Sequence, residues 1–391
     1  MRTAHEDFLS SRFFAGLDGL RCLSIVAVVA YHVAGSHEGL ISRGYLGVAL
    51  FFAISGFLIT TLLLRERDKV GHISLRGFFA RRALRIFPLY YTVLGLYVAL
   101  VYFAERDLEV RGDFFANLPA FLTYTSNWFV QPTSDKRVIF YFAWSLATEE
   151  QFYLMWPLVM SLSRRTGYPV LFMCGLLVVA VGAPWAVSAG YLDPSALGGR
   201  MLTSISASIC MGCLAAYLTH SPRGFAWVYP VLGRAWSVPV MAVLLAGAVA
   251  WHDTPYWLTS LVMTALVVAT CIRPKQPLSP VLSHPWVRYV GTVSYGVYLL
   301  HMLALNVVRR AVPGQSATVY FVLTLAVSVL LAGLSYRYFE SQFLKLKDRF
   351  DWRERPLDTP VRFPLGTQAG PGRVASLWRK LSRPTSYVPG P

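Results

Sequence analysis

Arg21 and His32 stand eleven residues apart inside the apolar stretch LDGLRCLSIVAVVAYHVA. A guanidinium there can hold an anion, and an imidazole can move a proton or attack a carbonyl. A helix turns by about 100° per residue, so eleven steps make about three whole turns. The two groups therefore share one face, roughly 16 Å apart along the axis. Each costs on the order of 2–3 kcal/mol in hydrocarbon, so that face must look into a protein interior or a wet cavity. A functional site is the expectation.

A second candidate lies in WSLATEEQFYLMWP, where Glu149 and Glu150 sit just inside an apolar aromatic run. Neighbouring helix residues diverge by about 100°, so one acid, Glu149, is expected to face the interior shared by Arg21 and His32. There it orients an imidazole or serves as a structural ion-pair partner. Ser145 and Tyr153 flank it as candidate substrate contacts. In VGTVSYGVYLLHMLALNVV, Ser294, Tyr298 and His301 follow each other at steps of four and three. Those steps make one polar stripe, which either lines a substrate path or joins helices by hydrogen bonds.

The segment RERDKVGHISLRGFFARRALRIFPLYY concentrates arginine beside the second apolar run. Arg82 and Arg85, three apart and with Arg81 adjacent, are spaced to clamp the phosphates of a bulky anion. Lipid headgroups are the other claimant for such charge. No metal is expected. The remaining histidines lie at span ends or in loops, and no HExxH motif occurs. The five cysteines, at 22, 174, 210, 213 and 271, fall within or beside apolar runs and read as small packing residues.

The elements that must position these groups are membrane helices. Of 391 residues, 55% are apolar and 14% charged, with apolar runs of bilayer-spanning length. Ten spans are expected, near 17–35, 44–64, 86–104, 138–161, 168–188, 201–219, 237–251, 257–272, 289–308 and 318–338, which makes an all-α polytopic bundle. Residues 113–130, interrupted by Pro119 and Asn127, read as re-entrant or interfacial. The first run is expected to stay attached rather than be cleaved as a signal peptide, because Arg21 and His32 interrupt it.

The net charge of +16 does not point to nucleic acid, because the basic residues sit at the ends of apolar segments. A cytoplasmic N-terminus puts 27 Lys and Arg inside against 8 outside, with Arg21 in the first span, and an even span count leaves the C-terminus inside as well. Arg309 and Arg310 are the main discordance. Residues 1–345 are expected to form one transmembrane domain, and 346–391 a basic, Pro-rich, disordered tail that stays cytoplasmic or lies on anionic lipid.

Five blocks, LDGLR at 17–21 with His32 beyond it, GYLGVALFFAISGFLIT at 44–60, RRALRIFPLYY at 81–91, WSLATEEQFY at 144–153 and GTVSYGVYLLH at 291–301, strongly resemble the integral-membrane acyltransferase-3 family. That resemblance implies transfer of an acyl group, mostly acetyl from acetyl-CoA, to hydroxyls of surface glycans, lipids or secondary metabolites. It implies His32 as catalytic histidine with Arg21 as its partner, Arg82 and Arg85 as the RxxR pair, and Glu149 as the SLxxExxFY acid. The last span departs from the family, reading YRYFESQ where many relatives have an acid followed one step later by proline. No extracytoplasmic hydrolase-like domain follows it, so transfer is expected to be completed by the membrane domain alone or with a separate partner.

The expected enzyme is therefore an O-acetyltransferase of a bacterial inner membrane. Acyl-CoA would dock from the cytoplasm on Arg81, Arg82 and Arg85, with a carbohydrate, lipopolysaccharide or other lipid-linked hydroxyl as acceptor and His32 as general base. A covalent acyl-His32 relay is an open variant. A transporter or flippase using Arg21, His32 and Glu149 as a substrate or proton site is the rival from another class.

Overall fold

The computed structural model describes residues 3–11, 14–35, 40–131, 138–163, 167–347 and 350. Apolar runs in a bilayer must satisfy their backbone groups within each segment, and this chain does so with helices. No strand occurs among the described residues. In order these are α1 (Ala4–Ser10), α2 (Ala15–Ala34), α3 (Leu46–Val70), α4 (Leu75–Ala104), α5 (Leu108–Leu122), α6 (Ser126–Phe129), α7 (Trp144–Leu162), α8 (Gly167–Ser188) and α9 (Leu197–Thr203). There follow α10 (Ala207–His220), α11 (Pro222–Leu232), α12 (Ser237–Ala250), α13 (Tyr256–Ile272), α14 (Ser279–Leu282), α15 (Pro285–Thr292), α16 (Ser294–Ala311), α17 (Ala317–Ser335) and α18 (Ser341–Lys347). The tail expected at 346–391 lies almost wholly outside the described residues.

The all-helical bundle is as expected, but ten spans are not reached by length and apolarity. Five segments among the described residues are long and apolar enough to cross a membrane, and eight are if each bent helix pair counts as one span. The shortfall has local causes. Helix α13 runs 17 residues, and α7 carries Glu149 and Glu150 side by side. The pair α9 and α10 bends by 42°, while α11 with α12 and α15 with α16 each bend by 75°. At the first bend Ser206 leaves helical geometry and its hydroxyl accepts the amide of Ile209, so the new helix starts with a capped end.

Helix α3 is the central post. Its span is 78% buried, against 17% for α8 and for the segment containing α17. Apolar on all sides, it can be enclosed by other helices. Between apolar helices in lipid the attraction is close packing, and that needs small residues at the crossing. Gly56 of α3 and Gly212 of α10 provide them: a Cβ on Gly56 would stand 2.3 Å from the Ile209 carbonyl oxygen, and one on Gly212 would stand 2.5 Å from that of Ala53. Polar pegs tie each member of this pair to a further helix. Trp156 of α7 donates to Thr60 of α3 at 2.8 Å, and Ser208 of α10 donates to Ser260 of α13 at 2.8 Å.

Overpacking such a crossing costs about 1–3 kcal/mol. Gly56→Ala is therefore expected to lower the melting temperature of the detergent-solubilised protein. Gly95→Ala, whose Cβ meets nothing within 4 Å, is expected to leave it unchanged or raised. Scanning fluorimetry of both variants measures the difference.

Candidate active site

Helix α2 carries its two marked residues into different surroundings. Near its start Arg21 forms an ion pair with Asp18 one turn earlier, Nη1 to Oδ1 at 3.0 Å, and Asp18 is buried. The carboxylate is held there by a close approach of backbones, since a Cβ on Gly291 would fall 1.9 Å from the Asp18 carbonyl oxygen. Three turns on, His32 donates from Nδ1 to the carbonyl of Val28 at 2.9 Å. Its ring contacts Tyr31 at a centroid distance of 5.1 Å and His301 at 4.8 Å.

His301 comes from α16. It is fully buried, its Nδ1 donates to the Tyr298 carbonyl, and its Nε2 has no hydrogen-bond partner among the described residues. The ring also packs on Phe142 at 5.5 Å. Phe142 belongs to a short 3-10 turn, Tyr141–Ala143, that leads into α7. Tyr298 donates its hydroxyl to the Phe142 carbonyl at 2.8 Å, and Ser145 sits 2.6 Å from the same hydroxyl oxygen. Ser145 also reaches the Phe142 carbonyl, at 3.3 Å, so both hydroxyls converge on that one acceptor. Tyr298 and His301 of the expected stripe thus join Ser145, whereas Ser294 is buried at the first turn of α16, beside the bend.

Glu149 is placed elsewhere. Its carboxylate accepts from Ser55 of α3 and from Tyr153 one turn on in α7. The guanidinium of Arg82 lies over the Tyr153 ring, 3.8 Å from its centroid, a cation–π contact. Glu149, Tyr153 and Arg82 therefore form one chain of contacts, and none of them touches His32.

The arginines of α4 divide by face. Arg81 bonds Glu66 at 3.3 Å and the Phe350 carbonyl at 2.7 Å, and buried Glu66 also accepts the amide of Ser74 at 3.0 Å. Arg82 and Arg85 turn inward instead. Arg85 lies within electrostatic range of Arg21, Arg82, Tyr336 and Glu340, and its Nη1 is buried without a hydrogen-bond partner among the described residues. Asp18 feels Arg21, Arg85 and Arg288 together. The N-terminal part of α2 thus faces a group of cations gathered from α2, α4 and α15.

Sequence reasoning missed several members. Asp18, three residues before Arg21, was visible as an i, i+3 acid. Ser55 and Phe142 carried no signal, because contact across helices left no mark on local spacing. Glu340 ends a π-helical turn, Tyr336–Glu340, that no periodicity announces. Arg309, discordant by the inside rule, donates to the Val33 carbonyl at 3.1 Å and so occupies the C-terminal end of α2, where a cation is favoured. Within the aromatic segment 121–132, Tyr124 is buried at φ +53 and stacks on Tyr90 at 4.3 Å, which makes it core rather than an open face.

Among the described residues no group of three or more His, Cys, Asp and Glu is placed to hold a metal ion. The family model described as an acyltransferase domain, acyltransferase 3, matches residues 14–337. Over 390 residues, 89% of this chain and 60% of the relative, the sequence is 28% identical to the peptidoglycan O-acetyltransferase OatA of Listeria monocytogenes. It is 26% identical to the O-acetyltransferase OatA of Staphylococcus aureus over 87% of this chain and 58% of the relative. The chain spans about three fifths of the length of the curated relatives it matches. No solved structure matches it.

Removing one partner of a buried charged hydrogen bond costs about 1.5–3 kcal/mol, and removing both costs less. Asp18→Asn is therefore expected to destabilise the protein more than the double change Asp18→Asn with Arg21→Gln. Thermal unfolding of the single and double variants in a mutant cycle measures this coupling.

Proposed function

Because the chain belongs to the acyltransferase-3 family, we propose that it is an O-acetyltransferase of a bacterial inner membrane that moves the acetyl group of cytoplasmic acetyl-CoA to a hydroxyl of a surface glycan or glycolipid. Its residues 1–345 are the acyltransferase unit, with both ends on the cytoplasmic side, and the distribution of Lys and Arg along the sequence supports that orientation. A relative named for peptidoglycan supports a glycan as the acceptor class.

The observation that carries the reading is the hydrogen bond from His32 Nδ1 to the Val28 carbonyl. A carbonyl can only accept, so Nδ1 holds the proton of the neutral ring and Nε2 keeps a lone pair. His32 is half-buried, which leaves its ring within reach of a substrate. In the proposed step His32 Nε2 takes the proton of the acceptor hydroxyl as that oxygen bonds to the thioester carbonyl carbon. The carbon–sulfur bond then breaks, and the imidazolium returns the proton to the coenzyme A thiolate. General-base assistance of this kind contributes about 10²- to 10⁴-fold. The same lone pair would serve a covalent acyl-His32 variant.

The donor's phosphates are assigned to Arg82 and Arg85. Support comes from the unpartnered Nη1 of Arg85 and from the surplus of cations around it. Arg21, ion-paired to Asp18, then stands between the phosphate end and the imidazole end of α2. Arg81, held by Glu66 and Phe350, steadies the edge of the phosphate site. Glu149 fixes Tyr153 beneath Arg82, a role on the donor side that its contacts support better than orientation of His32. Ser145 and Tyr298 hold α16 and the turn before α7 around the imidazole end, while Ser294 is buried at the first turn of α16.

Purified protein given acetyl-CoA and peptidoglycan fragments or lipopolysaccharide is expected to release coenzyme A thiol in an acceptor-dependent way, and His32→Ala to lose that release by at least about 10²-fold. Acceptor-dependent release at the wild-type rate in the variant would overturn the assignment of the base. Quantitative thiol detection reads both.

A further inference from the structure

We propose that Glu340 sets the affinity of the donor-phosphate site: its carboxylate offsets the charge of Arg85 without occupying the guanidinium's Nη1, so that the donor binds and spent coenzyme A can leave. This rests on the reading of Arg85 as a phosphate ligand.

Glu340 lies in YRYFESQ, at the end of the last long apolar segment, where it closes the π-helical turn Tyr336–Glu340. It is buried, whereas Leu331, Leu334 and Tyr338 of the same segment are exposed. In an α-helix, residues five apart stand about 140° from each other around the axis. The i to i+5 bonding of a π turn brings them into line, and the Ser335 hydroxyl accordingly donates to Glu340 Oε1 at 3.2 Å. The turn thus aims an acid inward and fixes one of its oxygens.

Two contacts with α16 place this acid beside Arg85. Gly296 lets the segment come close, since a Cβ there would stand 2.9 Å from the Ala332 Cβ and 3.7 Å from Glu340 Oε1. One residue earlier, Tyr295 donates to the carbonyl of Ile86, next to Arg85, at 2.9 Å. Glu340 and Arg85 are therefore held against neighbouring residues of one helix and lie within electrostatic range of each other, yet no ion pair joins them.

The arrangement has a physical use. A cation in a buried site is costly unless its charge is offset, and a direct ion pair would occupy the donors that a phosphate needs. The other acid that feels Arg85, Asp18, is already bonded to Arg21 at 3.0 Å. Glu340 offsets Arg85 from farther away, and Nη1 stays buried without a hydrogen-bond partner among the described residues. With Arg21 and Arg82 also near, an uncompensated Arg85 would hold a multiply charged phosphate too tightly, and tight binding of a spent donor does not speed turnover.

The probe is coenzyme A, titrated calorimetrically into the detergent-solubilised protein. Glu340→Gln keeps an oxygen for the Ser335 hydroxyl and removes the charge, so it is expected to lower the Kd on the order of 10-fold. Arg85→Gln is expected to raise the Kd by at least that factor, and the double variant to fall between the two. A purely structural Glu340 would give an unchanged or weaker affinity in Glu340→Gln, and that result overturns the proposal. If Glu340→Gln does not fold, the double variant, which removes both charges, decides: tighter binding than Arg85→Gln alone supports the proposal, and equal or weaker binding overturns it. Failure of the underlying reading is distinct. A wild-type protein that does not bind coenzyme A, or an Arg85→Gln that binds it as tightly as wild type, refutes the phosphate site itself, whereas a weakened Arg85→Gln beside an unaltered Glu340→Gln refutes only the role of Glu340.

Discussion

Hydrocarbon offers a buried polar atom no second partner, and the arrangement of this protein follows from that constraint. Each ionisable side chain brought into the bundle must find its counterpart on the protein. Asp18 finds Arg21, Glu66 finds Arg81 and the amide of Ser74, and Glu149 finds Ser55 and Tyr153. Against that background the groups left without a hydrogen bond stand out. Arg85 Nη1 and His301 Nε2 are two of them, one at each end of α2's polar face. A group that the fold leaves unsatisfied where satisfaction is costly is a place where a substrate can supply what is missing.

Such placement requires helices that approach closely and do not slide. The glycine pair of α3 and α10 and the contact of Gly291 with Asp18 bring backbones together at distances that a methyl group would prevent. The second contact bears directly on the site, because it fixes the residue that neutralises Arg21. Broken helices do related work. The 75° bend before α16 ends one helix at Thr292 and starts another at Ser294, so that Tyr298 and His301 enter the interior at an angle that a straight span through this region would not give.

Much of this was legible in the sequence because the cost of charge in lipid is local: Arg21, His32, Glu149 and the arginines of α4 are conspicuous where they stand. What could not be read was pairing. Glu149 was expected opposite His32 on the strength of facing the same interior, yet helical phase says only which way a residue points within its own helix. Its observed partners, Ser55 and Tyr153, depend on how α3 crosses α7. Arg309 makes the same point from the other side, since its charge looked misplaced by the inside rule until the carbonyl of Val33 supplied a reason. The expected ten spans go unconfirmed partly where helices break at residues such as Ser206, since a composition window cannot tell a bent pair from a straight span.

Under the proposed transfer from acetyl-CoA, the spacing of Arg21 and His32 acquires a physical meaning. An acyl donor with a nucleotide at one end and a thioester at the other has two incompatible solvation demands. The phosphates need cations near water, whereas a thioester carbonyl is attacked best where water is excluded. A single helix meets both demands by holding a cation-rich end and an imidazole end about three turns apart on one face. Rigid packing of α2 against α3, α15 and α16 would keep that distance constant, so that anchoring the phosphates determines how far the reactive carbon reaches.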